Sequence, residues 1–131
     1  MFHGRLLQEF QMASVHDLAR PVLMPNELDT LTGHGFSNDE IYKIVAPRRT
    51  IARRRERNEQ LSLVETDRVL RLQRVVKEAE RVFGNPEKAH RWLREPSRAL
   101  DKAVPLELLE TEAGARIVEN ELGVIDHGMF A

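Results

Sequence analysis

Cysteine is absent from the 131 residues. This excludes disulfides, thiol nucleophiles and thiolate metal sites, and it suits a reducing compartment. Aromatic residues are scarce at 5%, so aliphatic side chains must fill any interior. No apolar run approaches the ~20 residues of a membrane span, and the first residues lack the apolar core of a secretory signal; a soluble, cytoplasmic chain with no membrane partner is expected. Neither alternating strand patterns nor hairpin dipeptides occur, which points to an all-α fold. Catalytic signatures are missing too: no Gly-x-Ser-x-Gly, no phosphate-binding glycine loop and no dinucleotide fingerprint. The five histidines, His3, His16, His34, His90 and His127, show no metal-ligand spacing. The expectation is no catalytic residue, no metal, no cofactor and no enzyme.

What the chain does have is asymmetrically placed charge. Its net charge is only -1. Residues 48–57 nevertheless sum to +5, from six arginines and one glutamate. Residues 86–131 carry six Lys/Arg and nine Asp/Glu, a sum of -3. A basic half that faces nucleic acid and an acidic half with another task account for this split. A solvated charged face is the alternative, but such faces usually mix signs.

The basic run is framed by helix signals. Ser37-Asn38-Asp39-Glu40 is a capping box opening a short helix that ends near Val45, with Phe36 placed to staple against Ile41. Ala46-Pro47 breaks it and starts a second helix. Helix, tight turn and basic helix is the layout of a helix-turn-helix, whose second helix enters a major groove. Arg48, Arg49, Thr50, Arg53, Arg54 and Arg57 are the expected DNA-binding residues, with Ile51 and Ala52 tying the helix inward. Ser62-Leu63-Val64-Glu65 is a second capping box. It opens a long helix to Phe83, stopped by Gly84 in a left-handed conformation. Val69, Leu72, Val76, Ala79 and Phe83 form a heptad-like seam, which serves equally as a dimer contact or as ordinary core. Further helices are expected from the Asn26 cap to Leu31, from Asn85-Pro86 to Glu95, from Pro105, and from the Thr111 cap to Gly128. The last carries Ala115, Val118, Leu122 and Ile125 as its buried stripe. Three segments result: residues 1–24 as a weakly ordered arm, 25–84 as the DNA-binding domain and 85–131 as a second helical domain, joined by the long helix.

Taken together these stretches resemble the Xre/MbcA/ParS-type antitoxins that pair with RES-domain toxins. The resemblance rests on Gly35-Phe36-Ser37-Asn38-Asp39-Glu40-Ile41-Tyr42, Pro47-Arg48-Arg49-Thr50, Thr66-Asp67-Arg68, Val82-Phe83-Gly84 and Ala89-His90-Arg91-Trp92-Leu93. It continues through Pro105-Leu106-Glu107-Leu108-Leu109, Thr111-Glu112-Ala113-Gly114-Ala115 and Gly128-Met129-Phe130-Ala131. It covers about residues 30–131. It implies an Xre-like helix-turn-helix followed by a toxin-binding domain, a cognate toxin that consumes NAD, and repression of the pair's own operon. Asp101-Lys102 stands where the family leads one to expect glycine, and His127 where an aromatic is expected.

The resulting expectation is an antitoxin that binds a RES-domain toxin and operator DNA, as a homodimer within a hetero-oligomeric complex. His127, Gly128, Met129, Phe130 and Ala131 are expected to bind the toxin, because two large apolar side chains beyond the last helix do not reach their own core readily. The competing reading is a simple dimeric helix-turn-helix repressor with no toxin partner.

Overall fold

The computed structural model describes residues 22–129, the last by its backbone alone. Most of the expected N-terminal arm, and Phe130 and Ala131 of the expected toxin-binding tail, lie outside the described residues.

After a 3-10 turn at Pro25–Glu27, six α-helices follow: α1 Leu28–Gly33, α2 Asn38–Ile44, α3 Arg48–Arg57, α4 Leu63–Phe83, α5 Pro86–Arg94 and α6 Glu112–Met129. Two further 3-10 turns, Arg98–Leu100 and Pro105–Glu110, lie between α5 and α6. Among the described residues no strand forms, only one isolated antiparallel bridge between Ser97 and Ala103. The fold is all-α.

Local chemistry sets most of these ends. Both capping boxes are complete: the Ser37 hydroxyl accepts from the Glu40 backbone while the Glu40 carboxylate accepts from Ser37, and Ser62 and Glu65 do the same. Such reciprocal caps satisfy two backbone donors that a helix start leaves orphaned. Gly84 closes α4 at φ 63. Asn85 caps α5 by accepting from the Lys88 backbone, and Pro86 fills the first turn. Thr111 Oγ1 accepts from Gly114 at the start of α6.

Three ends differ from the sequence reading. Asn26 does not cap α1; Pro25 pre-organises a 3-10 turn there instead. Pro105 likewise opens a 3-10 turn rather than an α-helix. Gly128 does not terminate α6, which runs through it to Met129. A glycine ends a helix by adopting positive φ, and only Gly35 and Gly84 do so among the described glycines.

The helices share one core. Leu28, Leu31, Phe36, Ile41, Val45, Ile51, Leu61, Val69, Leu72, Val76, Leu93, Leu109, Val118 and Leu122 belong to a single buried cluster. The α4 seam is filled from within the chain: Val69, Leu72, Val75 and Ala79 are each fully covered. α4 packs on α1, α5 and α6, so this seam is not available as a dimer contact. The buried residues on either side of the expected boundary at 84/85 pack together, so the two halves share an interior. Among the described residues no helix is long and apolar enough to cross a membrane.

The Asp101-Lys102 turn explains its own oddity. Both residues are left-handed, at φ 54 and φ 68, where a Cβ is penalised and glycine is not. Lys102→Gly should therefore raise stability by about 0.5–1 kcal/mol, the strain removed exceeding the added chain entropy. Urea denaturation reads this directly; an unchanged midpoint would mean that the lysine is not strained there.

Candidate functional site

Two surfaces differ from the rest, one basic and one carrying exposed aliphatic side chains. The basic surface is α3. Ile51 is buried beneath it, and the 100° spacing of helical residues then turns Arg49 and Arg53 to the opposite, outer side. Arg48, Arg49, Arg53 and Arg57 are exposed and have no ion-pair partner among the described residues. Thr50 is half-buried in the first turn. Ala52 does not tie the helix inward, as the sequence reading had it; it is exposed, because Ile51 alone points to the core.

Arg54 is the clearest correction to the expected DNA contacts. Its side chain is only 13% exposed, with Nε 2.6 Å from Glu65 Oε1. Its Nη1 donates to Glu59 and to the Gln60 carbonyl, and its Nη2 to Glu65 Oε2. One arginine thereby joins α3 to the capping box of α4. Its fork geometry is spent on carboxylates, so it does not reach a groove. Arg55 leans on Asp29 at 3.3 Å. Arg68 donates to the Val45 carbonyl at 3.1 Å; it thus braces the turn before the basic helix. Removing a group that acts through packing differs from removing one that reads DNA. Arg54→Ala should lower thermal stability by about 2 kcal/mol or more, by leaving Glu65 buried and unpaired. Arg53→Ala should leave the melting transition within about 0.5 kcal/mol of the parent. Equal melting curves for the two variants would refute the bracing role.

The second surface is the outer face of α6, where two exposed apolar side chains stand among Arg116, Asn120 and Glu121. The inner face buries Ala115, Val118 and Leu122 on α4, with Ile125 half-buried. Arginines of α4 then lock the register. Arg71 Nε donates to Glu112 at 3.1 Å, and its Nη1 reaches the carbonyls of Leu109 and Glu110. Arg74 bridges Glu112 and Glu119, and Arg81 holds Asp126 at 2.8 Å. Burial pushes the Glu112 carboxyl up, but Arg71 and Arg74 outweigh it and hold it below the usual carboxylate range. Locked this way, α6 turns Ile117 and Val124 outward, 49% and 65% exposed. His127 and Gly128 extend the exposed surface to the end of the helix.

A third group of residues ties α5 to α4 and to α2. Glu80 on α4 takes His34 Nδ1 on one oxygen at 2.9 Å and His90 Nε2 on the other at 2.8 Å. Each ring nitrogen facing this carboxylate donates. His90 also dictates Gly35: a Cβ there, at φ +90, would lie 2.5 Å from the imidazole Nδ1. Arg94 closes on Glu40 through Nε and Nη2, both at 2.9 Å. Burial raises the Glu40 carboxyl, yet the hydrogen bonds from Arg94 and Ser37 prevail and hold it below the ordinary range. A carboxyl held low stabilises the fold above its unfolded value, and that contribution is lost as pH falls. Among the described residues no cluster of His, Asp or Glu fits a metal ion.

Residues 78–128, from the end of α4 through α5 and most of α6, match the family model of the antitoxin Xre/MbcA/ParS C-terminal toxin-binding domain. The chain is 37% identical over 84 residues to Antitoxin Xre of Pseudomonas putida, covering 64% of this chain and 53% of that one. Against Antitoxin Xre of Yersinia enterocolitica it is 36% identical over 86 residues, 65% of this chain and 58% of the relative.

The chain belongs to the Xre/MbcA/ParS antitoxin family.

It spans a little over half the length of these relatives. A further family relative, from Sphingobium, is 33% identical over 91 residues, 63% of this chain and 57% of its own, and is named Prs ADP-ribosylating antitoxin. The family's toxin-binding segment here contains most of the locked α6 and the whole of α5. Of the five residues expected to meet a toxin, His127 and Gly128 are exposed on α6, Met129 is placed only as helical backbone, and Phe130 and Ala131 lie outside the described residues. Ile117 and Val124 were missed by sequence reasoning, although their seven-residue spacing off the Ala115–Val118–Leu122 stripe was a signal. Arg71 was missed too. A charge on the line that continues through Val75, Ala79 and Val82 marks a buried arginine in retrospect.

Proposed function

We propose that this chain is the antitoxin of a type II toxin–antitoxin pair, and that the α5–α6 unit binds and silences a RES-domain toxin that consumes NAD. The match of residues 78–128 to a toxin-binding domain carries this reading. The relative named for ADP-ribosylation favours NAD as the toxin's substrate, since that reaction takes its ADP-ribose from NAD. Ile117 and Val124 on α6 supply the apolar core of the contact, and His127 to Ala131 continue it towards the toxin's active site. Co-expression tests the assignment. The toxin alone should arrest growth and deplete NAD, and this chain should restore both. Arrest without rescue would refute it. A variant truncated after Asp126 should bind operator as the full chain does, yet lose most of the rescue; full rescue would confine neutralisation to the α6 face.

The α2–turn–α3 unit serves as a helix-turn-helix on operator DNA, so the complex represses its own operon in the cytoplasm. Arg48, Arg49, Thr50, Arg53 and Arg57 supply phosphate and base contacts, and Arg54 holds the helix in place. Specific reading needs two such helices about 34 Å apart. With the α4 seam internal, pairing of two copies falls to Leu63 and Val64, 52% and 59% exposed at the first turn after the basic helix. Arg53→Ala should weaken operator binding by about 1–3 kcal/mol if it reads a base, or reduce the salt slope by about one if it holds a phosphate. A quadruple alanine variant at Arg48, Arg49, Arg53 and Arg57 that keeps wild-type affinity and slope would remove α3 as the reader.

A further inference from the structure

We propose that Arg94 is the joint through which a partner on the 78–128 unit changes the grip of α3 on DNA; this rests on the antitoxin reading above. Arg94 is the last residue of α5, inside the matched segment. Four of its five N–H donors are committed. Nε and Nη2 hold the Glu40 carboxylate, Nη1 donates to the His90 carbonyl at 2.7 Å, and Nη2 also reaches the Gly35 carbonyl at 3.1 Å. The guanidinium lies 5.7 Å from the centre of the Phe36 ring. Glu40 Oε1 simultaneously accepts from the Ser37 backbone at 2.9 Å. The carboxylate that caps α2 is therefore the one that α5 pulls on.

The other end of α2 has a different anchor. Arg68, on α4, holds the Val45 carbonyl. α2 is thus tied at its start to α5 and at its end to α4. A shift of α5 against α4 must tilt α2 about Val45. Only Ala46 and Pro47 separate Val45 from α3, and Pro47 is stiff at φ -56, so the tilt is handed to the first turn of the basic helix, which pivots on the Arg54–Glu65 pair further along. The seam also has room to move. A cavity of about 250 Å³ opens beside the tie, between Glu40, Ile44, Arg94, Val104 and Leu106. Close-packed interfaces resist sliding; here a polar tie beside a pocket open to solvent permits it. Glu80 keeps α5 attached through His90 while Arg94, one turn further on, moves.

Operator titrations with and without the toxin test this, on the full chain and on two variants. Arg94→Met removes the tie but keeps an apolar stem over Phe36. Glu40→Gln keeps the capping box, in which glutamine also serves, and loses the charge. In wild type the toxin should change operator affinity by about tenfold, within the usual range of coupling between sites. In Arg94→Met the factor should fall below about twofold, with operator and toxin each still bound as in wild type, and Glu40→Gln should fall between. A wild-type factor in Arg94→Met would overturn the joint. Hydrogen exchange on the free chain judges it independently of any partner: amides of residues 38–45 should exchange about tenfold faster in Arg94→Met, and equal exchange would sink it. Failure of the wild-type chain to bind either toxin or operator would instead appear in the binary titrations and overturn the antitoxin reading beneath it.

Discussion

Gly114→Ala should be among the most damaging single changes in the protein. A Cβ at this position would lie 1.8 Å from the Leu108 carbonyl oxygen and 2.8 Å from its carbon. Both are backbone atoms, so no rotamer change relieves the clash. Either the first turn of α6 or the 3-10 turn Pro105–Glu110 must move. The first choice breaks the Thr111 cap, and the second pulls Leu106 and Leu109 from the core and the Leu109 and Glu110 carbonyls from Arg71. Overpacking of a close-packed site usually costs 1–3 kcal/mol; with backbone on the receiving side a loss of about 3 kcal/mol or more is expected. Gly123→Ala is the matched control on the same helix. Nothing lies within 4 Å of its Cβ position, and alanine favours a helix over glycine by roughly 0.8–1 kcal/mol, so this variant should be more stable than the parent. Chemical denaturation separates the two. A loss below 1 kcal/mol for Gly114→Ala would mean that the 3-10 turn yields freely.

The largest effect on partner binding should come from the outer face of α6. Ile117→Glu with Val124→Glu should weaken toxin binding at least ~100-fold and abolish rescue. Burying two such side chains contributes roughly 3–5 kcal/mol before ordering costs, and two carboxylates in their place add a desolvation penalty. Both positions are exposed in the free chain, so the fold should be retained with helical content and melting point near those of wild type. Operator binding in the absence of toxin should also be unchanged. Undiminished rescue by the folded double variant would remove this face from the contact and leave neutralisation to the end of the helix.

Four helix starts were legible in the sequence, though those read at Asn26 and Pro105 were not. Ser37 with Glu40, Ser62 with Glu65, Asn85 with Pro86, and Thr111 each act within one turn, so the residues that specify them are adjacent in sequence. Helix ends were less so. Gly84 terminates α4, whereas Gly128 continues α6. A glycine permits a stop without requiring one, and the deciding term is whether the following chain has something better to do. The basic helix was legible as a helix, but its side chains were not separable by role. Arg53 and Arg54 look alike in the run. Only the arrival of Glu65, eleven residues later and buried against Arg54, assigns one to solvent and the other to the scaffold.

The sequence by itself determined the all-α class, the capped α2 and α4, the excess of positive charge on α3 and the buried stripe of α6. These are consequences of local hydrogen bonding and of the 3.6-residue period, which need no knowledge of what lies across the core. Tertiary structure alone decided that the α4 seam belongs to the chain's own interior, because the same heptad spacing serves an intrachain helix pair and a dimer equally well. It also decided the Arg94–Glu40 and His34–Glu80–His90 contacts, whose partners lie 54, 46 and 10 residues apart. Such pairs carry no local period. They follow from which helices pack together, and burial of apolar area, rather than the charges themselves, makes that choice.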